Sequence, residues 1–393
     1  MKPNARLKLF IGCLLCLALT SALSASPLAP KWPSTLNFQS LNEVQPPTTE
    51  AGWQFEASKL DMAIHSTHIA GLRARNSDMC LLKYMLLNYV IITDTDQLNE
   101  LQSFAAANGY DFESAFLHYY DNTTATGNGQ SFTVPGYGGG SATSLSQARV
   151  KSYIWADWSW VYNPKSPLVR KFLGYYYRKQ MTTGNKPDGI FVDFIMPVNY
   201  YIPPASSGGR VIEYGNKKQS EIKTEYRNDI ADVFAEVNTI MGNDSVFGDR
   251  YLLPNIGYIN QDESVGFSAD GILTEFWIQE VQNTIEYSYD LAKRIAAAGK
   301  ILIYSQGTAG PMVPSAGNYK NADDRHQMYA LTNYWIAKQG NSTYYQQKAP
   351  DGYPLLSSFW CKAREFDVGT PIDPLYSVWK TGTDSANQNY TIY

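Results

Sequence analysis

Histidine and cysteine are scarce: 393 residues hold 4 of each. No His-Glu-x-x-His segment occurs, and His65 and His68 alone make an incomplete ligand set, so no metal is expected. There is no Gly-x-Ser-x-Gly elbow for a serine nucleophile. The glycine run "GYGGGS" lacks the lysine and helix start of a phosphate loop, and no cofactor is expected. Basic charge is not in surplus either, with 32 Lys and Arg against 36 Asp and Glu. A chain of net charge −4 offers no basic stripe for nucleic acid.

Long apolar runs are confined to the start. "MKPNARLKLFIGCLLCLALTSALSAS" combines Lys2, Arg6 and Lys8 with a short apolar stretch and a small-residue exit near Ala22 to Ala25. It reads as an export signal over 1–25, too short for a membrane span. A secreted protein, extracellular or periplasmic, is expected. Cys80 and Cys361 then remain. An oxidising compartment permits a bond between them, but the strand reading sets them at opposite ends of the fold.

Aromatics are abundant, with 29 Tyr and 9 Trp. Flat amphipathic rings stack on sugar faces, and they also pack cores. Strand-like runs alternate with helix-like ones, the mark of repeated strand–helix units around a parallel sheet. The candidate strands are 35–39, 61–65, 83–89, 189–194, 251–255, 271–276, 301–305 and 355–360. Helices are expected over 167–181, 220–241, 279–299 and 323–340. The pattern predicts an α/β fold, a (β/α)8 TIM barrel spanning 51–393 after an extended leader over 26–50. Long insertions at 90–165, with a Gly- and Ser-rich stretch fit for a mobile loop, and at 197–219 would overhang the C-terminal face.

"PDGIFVDF" (187–194) is echoed by "ADGILTEF" (269–276). Side chains alternate along a strand, so Ile190, Val192 and Phe194 share one face, and Gly189, Phe191 and Asp193 the other. Ile272, Thr274 and Phe276 sort in the same way against Gly271, Leu273 and Glu275. Branched residues suit the helix-packed face, which turns Asp193 and Glu275 into the barrel mouth at equal height. Strands two apart put such carboxyl groups roughly 6 to 9 Å from each other, with shorter spacings also open. Two acids so placed flank a glycosidic bond. Glu275 is assigned as the acid and Asp193 as base or nucleophile, with the reverse left open. Asp188 and Asp270, at the strand starts, are expected to serve stability.

These phrases, with "YNPKSPLVRKFLGYYYRKQ" around Asn163-Pro164, "SAFLHYYDNT" (114–123) and Gly369-Thr370-Pro371, resemble the TIM-barrel glycoside hydrolases. The likeness is to the bacterial hypothetical glycosyl hydrolase families, themselves distantly similar to endo-α-1,4-polygalactosaminidases. It covers roughly residues 50 to 375 and implies a barrel and glycosidic bond hydrolysis. After Pro371 the family continues into a strand with an Arg and an Asn-Pro ending, which "NYTIY" does not match.

Six further residues are candidates for binding sugar. His65 and Asn255 end strands and can donate to hydroxyl groups. Asp157 lies between tryptophans in "IWADWSWVYNP", and Tyr89, Trp277 and Trp360 close strands as stacking rings. The expected function is hydrolysis of a polysaccharide or oligosaccharide by a monomer. A barrel that binds carbohydrate without turning it over is the alternative. Sequons at Asn122, Asn243, Asn341 and Asn389 matter only in a eukaryotic secretory route.

Overall fold

The computed structural model describes residues 35–65, 67–127, 130–154, 157–184, 186–193, 195, 202, 209–242, 250–257, 263–275, 284–306, 324–347, 355–366, 380–383 and 389–392. The export-signal segment, Phe194, Phe276 and Trp277 lie outside them.

Eight strands, numbered here β1 to β8, make two parallel sheets. One has the order β1 (Phe38–Ser40), β2 (Met62–Ile64), β3 (Cys80–Leu86), β4 (Gly189–Asp193), β5 (Tyr251–Pro254). The other has β6 (Gly271–Glu275), β7 (Ile301–Gln306), β8 (Thr343–Gln347). Parallel bridges join the edges, Asn255 with Leu273 and Asn37 with Tyr345. The Ile256 amide donates to the Leu273 carbonyl at 3.0 Å, and the Tyr345 amide to that of Leu36 at 2.9 Å. The first strand thus precedes residue 51, within the stretch expected as leader.

Helices fill the connections: α1 (Glu50–Lys59), α2 (Ile69–Arg75), α3 (Thr95–Asn108), α4 (Pro167–Thr182), α5 (Lys223–Gly242), α6 (Thr284–Ala297) and α7 (Asp324–Ala337). Among the described residues none is long and apolar enough to cross a membrane. The alternation of strand side chains separates two apolar shells. Phe38, Met62, Ile64, Leu82, Phe191, Leu253, Leu273, Ile303 and Tyr344 form one buried cluster drawn from all eight strands. Their outward neighbours Ile190, Val192, Leu252, Ile272 and Leu302 pack instead with helix residues such as Phe172, Phe234 and Ile295.

The repeated Asp-Gly has a physical cause at the strand starts. The Asp188 carboxylate accepts the Leu81 amide of β3 at 2.8 Å and ion-pairs with Arg73 and Arg250. Asp270 accepts the Leu252 amide of β5 at 2.8 Å. Each acid therefore stitches its strand to the preceding one. The glycine admits the following strand. A Cβ on Gly189 would stand 2.3 Å from the Tyr251 carbonyl oxygen, and one on Gly271 2.0 Å from that of Ile301.

The eighth strand is not where the sequence reading put it. Residues 355–360 form a one-turn helix, Leu356–Phe359, and β8 lies earlier. An apolar run this short fits either period. As a helical turn, "LLSSFW" brings Leu356, Phe359 and Trp360 together on the α1 residues Phe55 and Ala57. "TYYQQ", with a β-branched residue and two aromatics, suits a strand.

The insertion after β3 carries secondary structure of its own. The Asp94 side chain caps α3 by accepting the Gln97 amide, and Gly109 ends it at φ 71°. Tyr89–Ile91, Lys151–Ile154 and Asp157–Val161 form an antiparallel sheet. The glycine-rich stretch runs close against Tyr120, whose ring a Cβ at Gly138 would approach to 2.1 Å. This insertion is tied to the second one by the Arg210 to Asp121 ion pair at 2.7 Å and the His118 amide to Glu213 at 2.9 Å. Cys80, within the inner cluster, and Cys361 are both free thiols.

Candidate active site

Asp193 is the last residue of β4, level with Leu86 of β3. On its other side the ladder runs Val192 with Pro254, which sets Asp193 beside Asn255, and Asn255 bridges to Leu273. Glu275 lies two residues beyond Leu273. That stagger is how tilted strands bring side chains two strands apart to one height.

One side chain joins the two acids. The Asn255 Nδ2 donates to Asp193 Oδ1 at 2.7 Å and to Glu275 Oε1 at 3.1 Å. The two accepting oxygens are consequently less than about 6 Å apart, which brings the two carboxyl groups together at one end of the sheet as the strand spacing led one to expect. Asn255 is 5% exposed and its carbonyl oxygen accepts the Gly257 amide at 2.9 Å, which fixes the amide orientation.

Tyr84 completes the arrangement. Its hydroxyl donates to Asp193 Oδ2 at 2.6 Å. Cys80, Leu82 and Tyr84 have the same parity on β3, and the Tyr84 ring lies 6.3 Å from that of Phe191, one layer below Asp193. Burial, then the charge of Asp193, hold its phenol well above the usual range, with Tyr89 and Glu43 adding to the effect. The hydroxyl therefore keeps its proton and acts as donor. The sequence reading missed Tyr84; the signal was its inward parity in "CLLKYML", which identifies the face and not the partner.

The other candidates divide. His65 follows β2, 7% exposed, and its Nδ1 accepts the amides of Thr67 and His68 at 3.2 and 3.3 Å. Burial, then the neighbouring His68, push it down to about 4, so the ring is neutral with its proton on Nε2. Its edge-on contact with His68 at 4.7 Å is a ring contact. Among the described residues no three His, Cys, Asp or Glu gather as metal ligands.

Tyr89 is 4% exposed in the outer core and offers no open ring face. Trp360 ends a helix rather than a strand. It stands edge-on to Phe55 at 5.9 Å and donates to Glu365 at 2.8 Å, on the α1 flank. Asp157 opens its antiparallel strand, paired with Ile154. Trp277 lies outside the described residues. The structure thus brings together Asp193, Glu275, Asn255 and, unforeseen, Tyr84.

No protein-family model and no curated protein matches the chain. Among solved structures it is similar to a glucosidase II alpha subunit bound to α3-Glc2, at 8% identity and TM-score 0.46, over 81% of this chain and 32% of that one. It is also similar to an uncharacterized protein of Listeria monocytogenes EGD-e in complex with alpha- and beta-D-glucose, magnesium and calcium. There the identity is 12% and the TM-score 0.36, over 86% of this chain and 36% of that one. The chain spans about a third of the length of these structures. A likeness of this degree carries no argument about the reaction.

Proposed function

We propose that the chain is a secreted glycoside hydrolase of the retaining type, built on a (β/α)8 barrel, with Asp193 and Glu275 as its catalytic pair. The observation that carries this reading is the single Asn255 nitrogen that reaches both carboxylates. Two acids whose bridged oxygens lie under about 6 Å apart favour a double displacement, in which the carboxyl groups stand about 5 to 5.5 Å apart, over the roughly 6.5 to 9.5 Å of inverting pairs. The bridges at Asn255 and Asn37 support barrel closure. The strand ends that carry both acids are where barrel enzymes place their chemistry.

In this mechanism Asp193 attacks the anomeric carbon as Glu275 gives its proton to the departing glycosidic oxygen, leaving a glycosyl ester on Asp193. Glu275, now a carboxylate, takes a proton from water, and the resulting hydroxide opens the ester and restores both groups. The test is reducing-sugar release from a set of bacterial exopolysaccharides by the wild-type chain, Asp193→Asn and Glu275→Gln. Release by the wild type that falls at least a hundredfold in both variants is expected. Equal release by all three overturns the site. Sugar binding without release by the wild type instead points to the non-catalytic carbohydrate-binding barrel.

A further inference from the structure

Resting on the hydrolase reading, we propose that Ser40, Ser305 and Gln346 form a sugar-binding well beside the two acids, which takes hydroxyl groups of a neutral sugar unit and thereby selects the sugar that is cleaved.

The stagger of the strands places these side chains. Glu275 pairs with Ser305 and Ser305 with Gln346. Gln346 follows the bridge of Tyr345 to Asn37 and is level with Phe38, which pairs with Met62, and Met62 with Cys80. Two residues past Cys80, Leu82 is level with Gly189 and Gly189 with Tyr251. The bridge of Asn255 to Leu273 carries the level of Tyr251 to Ala269, hence that of Cys80 to Phe267, eight residues below Glu275. One circuit thus descends one residue per strand, the stagger of an eight-stranded barrel. Equal height is found by moving one residue on at each step, which sets Asp193 level with Glu275.

Parity then sorts the interior. Phe38, Ile303 and Tyr344 belong to the inner cluster, so Ser40, Ser305 and Gln346 face inward as well. Just below the acids stand Ser40, Tyr84, Asn255 and Ser305, and the next tier is Ile64, Phe191, Leu273 and Gln346. Tyr84 and Asn255 hold the acids. Ser305 and Ser40 lie on the far side of Glu275 from Asp193, flanking the strand that carries Gln346. Their small side chains leave the amide uncovered from above, in a tier whose other three members are apolar.

All three polar residues are buried, and among the described residues none of their side chains has a hydrogen-bond partner. Their polar atoms are not sealed in, unlike Gln39 Oε1 and Gln347 Oε1 on the outward face of the same strands. Barrel interiors are ordinarily filled by branched apolar residues, and buried polar groups without partners cost stability. A ligand that supplies the partners offsets that cost. Two hydroxyls and a primary amide each donate and accept and carry no charge, which matches sugar hydroxyl groups and offers no cation to a carboxylate.

The test uses the full chain with 4-nitrophenyl hexosides, their monodeoxy forms and a hexuronide. Gln346→Leu keeps the bulk and removes the amide. It should lower kcat/KM about 10- to 100-fold on the best hexoside, the scale of one or two neutral hydrogen bonds. On the monodeoxy form that lacks the bonded hydroxyl, wild type and variant should agree within about twofold, because the amide then has nothing to bind. Ser305→Ala deletes one oxygen, should show the same pattern with a fall of about tenfold, and decides alone if Gln346→Leu does not fold.

An equal fall on the parent and every deoxy form, or no fall on any, would make these residues structural and overturn the proposal. So would a hexuronide preferred to every hexoside. If the wild type hydrolyses no glycoside, the hydrolase reading fails, and binding of methyl hexosides read by saturation-transfer NMR judges the well separately. Binding that Gln346→Leu abolishes upholds it; binding by neither protein, or by both alike, overturns it.

Discussion

Replacing Gly271 by alanine adds one methyl group where β6 meets β7. That carbon would lie 2.0 Å from the Ile301 carbonyl oxygen and 2.7 and 2.8 Å from the Ile301 carbonyl carbon and amide nitrogen, whereas real Cβ atoms essentially never approach within 3.0 Å. All three atoms are backbone, so no side chain can swing away and the strands must part by roughly 1 Å. Overpacking of this kind costs typically about 1 to 3 kcal/mol, and a backbone clash belongs at the upper end. In urea the midpoint should fall with the slope m unchanged. Gly242→Ala is the matched control: at the end of α5 nothing lies within 4 Å of the added carbon, and the change should be neutral or stabilise by about 0.4 to 1 kcal/mol. Gly299→Ala meets no neighbour either but sits at φ 70°, and should cost about 1 kcal/mol from the backbone alone. The reasoning is refuted if Gly271→Ala melts within about 0.5 kcal/mol of the wild type, or if Gly242→Ala falls as far.

Glu56 is 2% exposed, its Oε1 has no hydrogen-bond partner, and burial pushes its carboxyl up to about 7. The folded state then keeps a proton that the unfolded chain sheds near 4.5, so this residue's contribution to stability is lost as the pH rises from 4.5 to about 7. Glu56→Gln should stabilise by about 1 to 3 kcal/mol at pH 8 and by nothing measurable at pH 4, read from denaturant melts; a difference constant with pH contradicts this. Tyr84→Phe removes the hydroxyl from Asp193 and leaves the ring on Phe191. A bond to a charged group is worth about 1.5 to 3 kcal/mol, so kcat/KM should fall about 10- to 100-fold, and an unchanged value would deny Tyr84 any part in orienting Asp193.

Much of this was legible in residues taken two at a time. The echoed Asp-Gly phrases sort their side chains by parity alone, and parity sent Asp193 and Glu275 inward because Ile190, Val192 and Ile272 needed the helices. Helix limits were marked by local chemistry, as at Asp94 and Gly109. What parity does not encode is register between strands. The bridge from Asn255 to two acids, and the reach of Tyr84 to Asp193, depend on how β3 to β6 are staggered, which no single segment specifies. The same limit misplaced the eighth strand. "LLSSFW" satisfies either period, and only the presence of α1 beside it selects the helical turn. Tyr89 shows the corresponding weakness of composition, since an aromatic ring stacks on a sugar only if a face is left open.

One amide nitrogen bridges Asp193 and Glu275, and in the proposed hydrolase the separation of these two acids decides the stereochemical outcome. Proton NMR of the first sugar released, recorded before mutarotation, reads that outcome directly. The spacing predicts that the new hemiacetal keeps the anomeric configuration of the bond that was cut. Appearance of the opposite anomer first would contradict it.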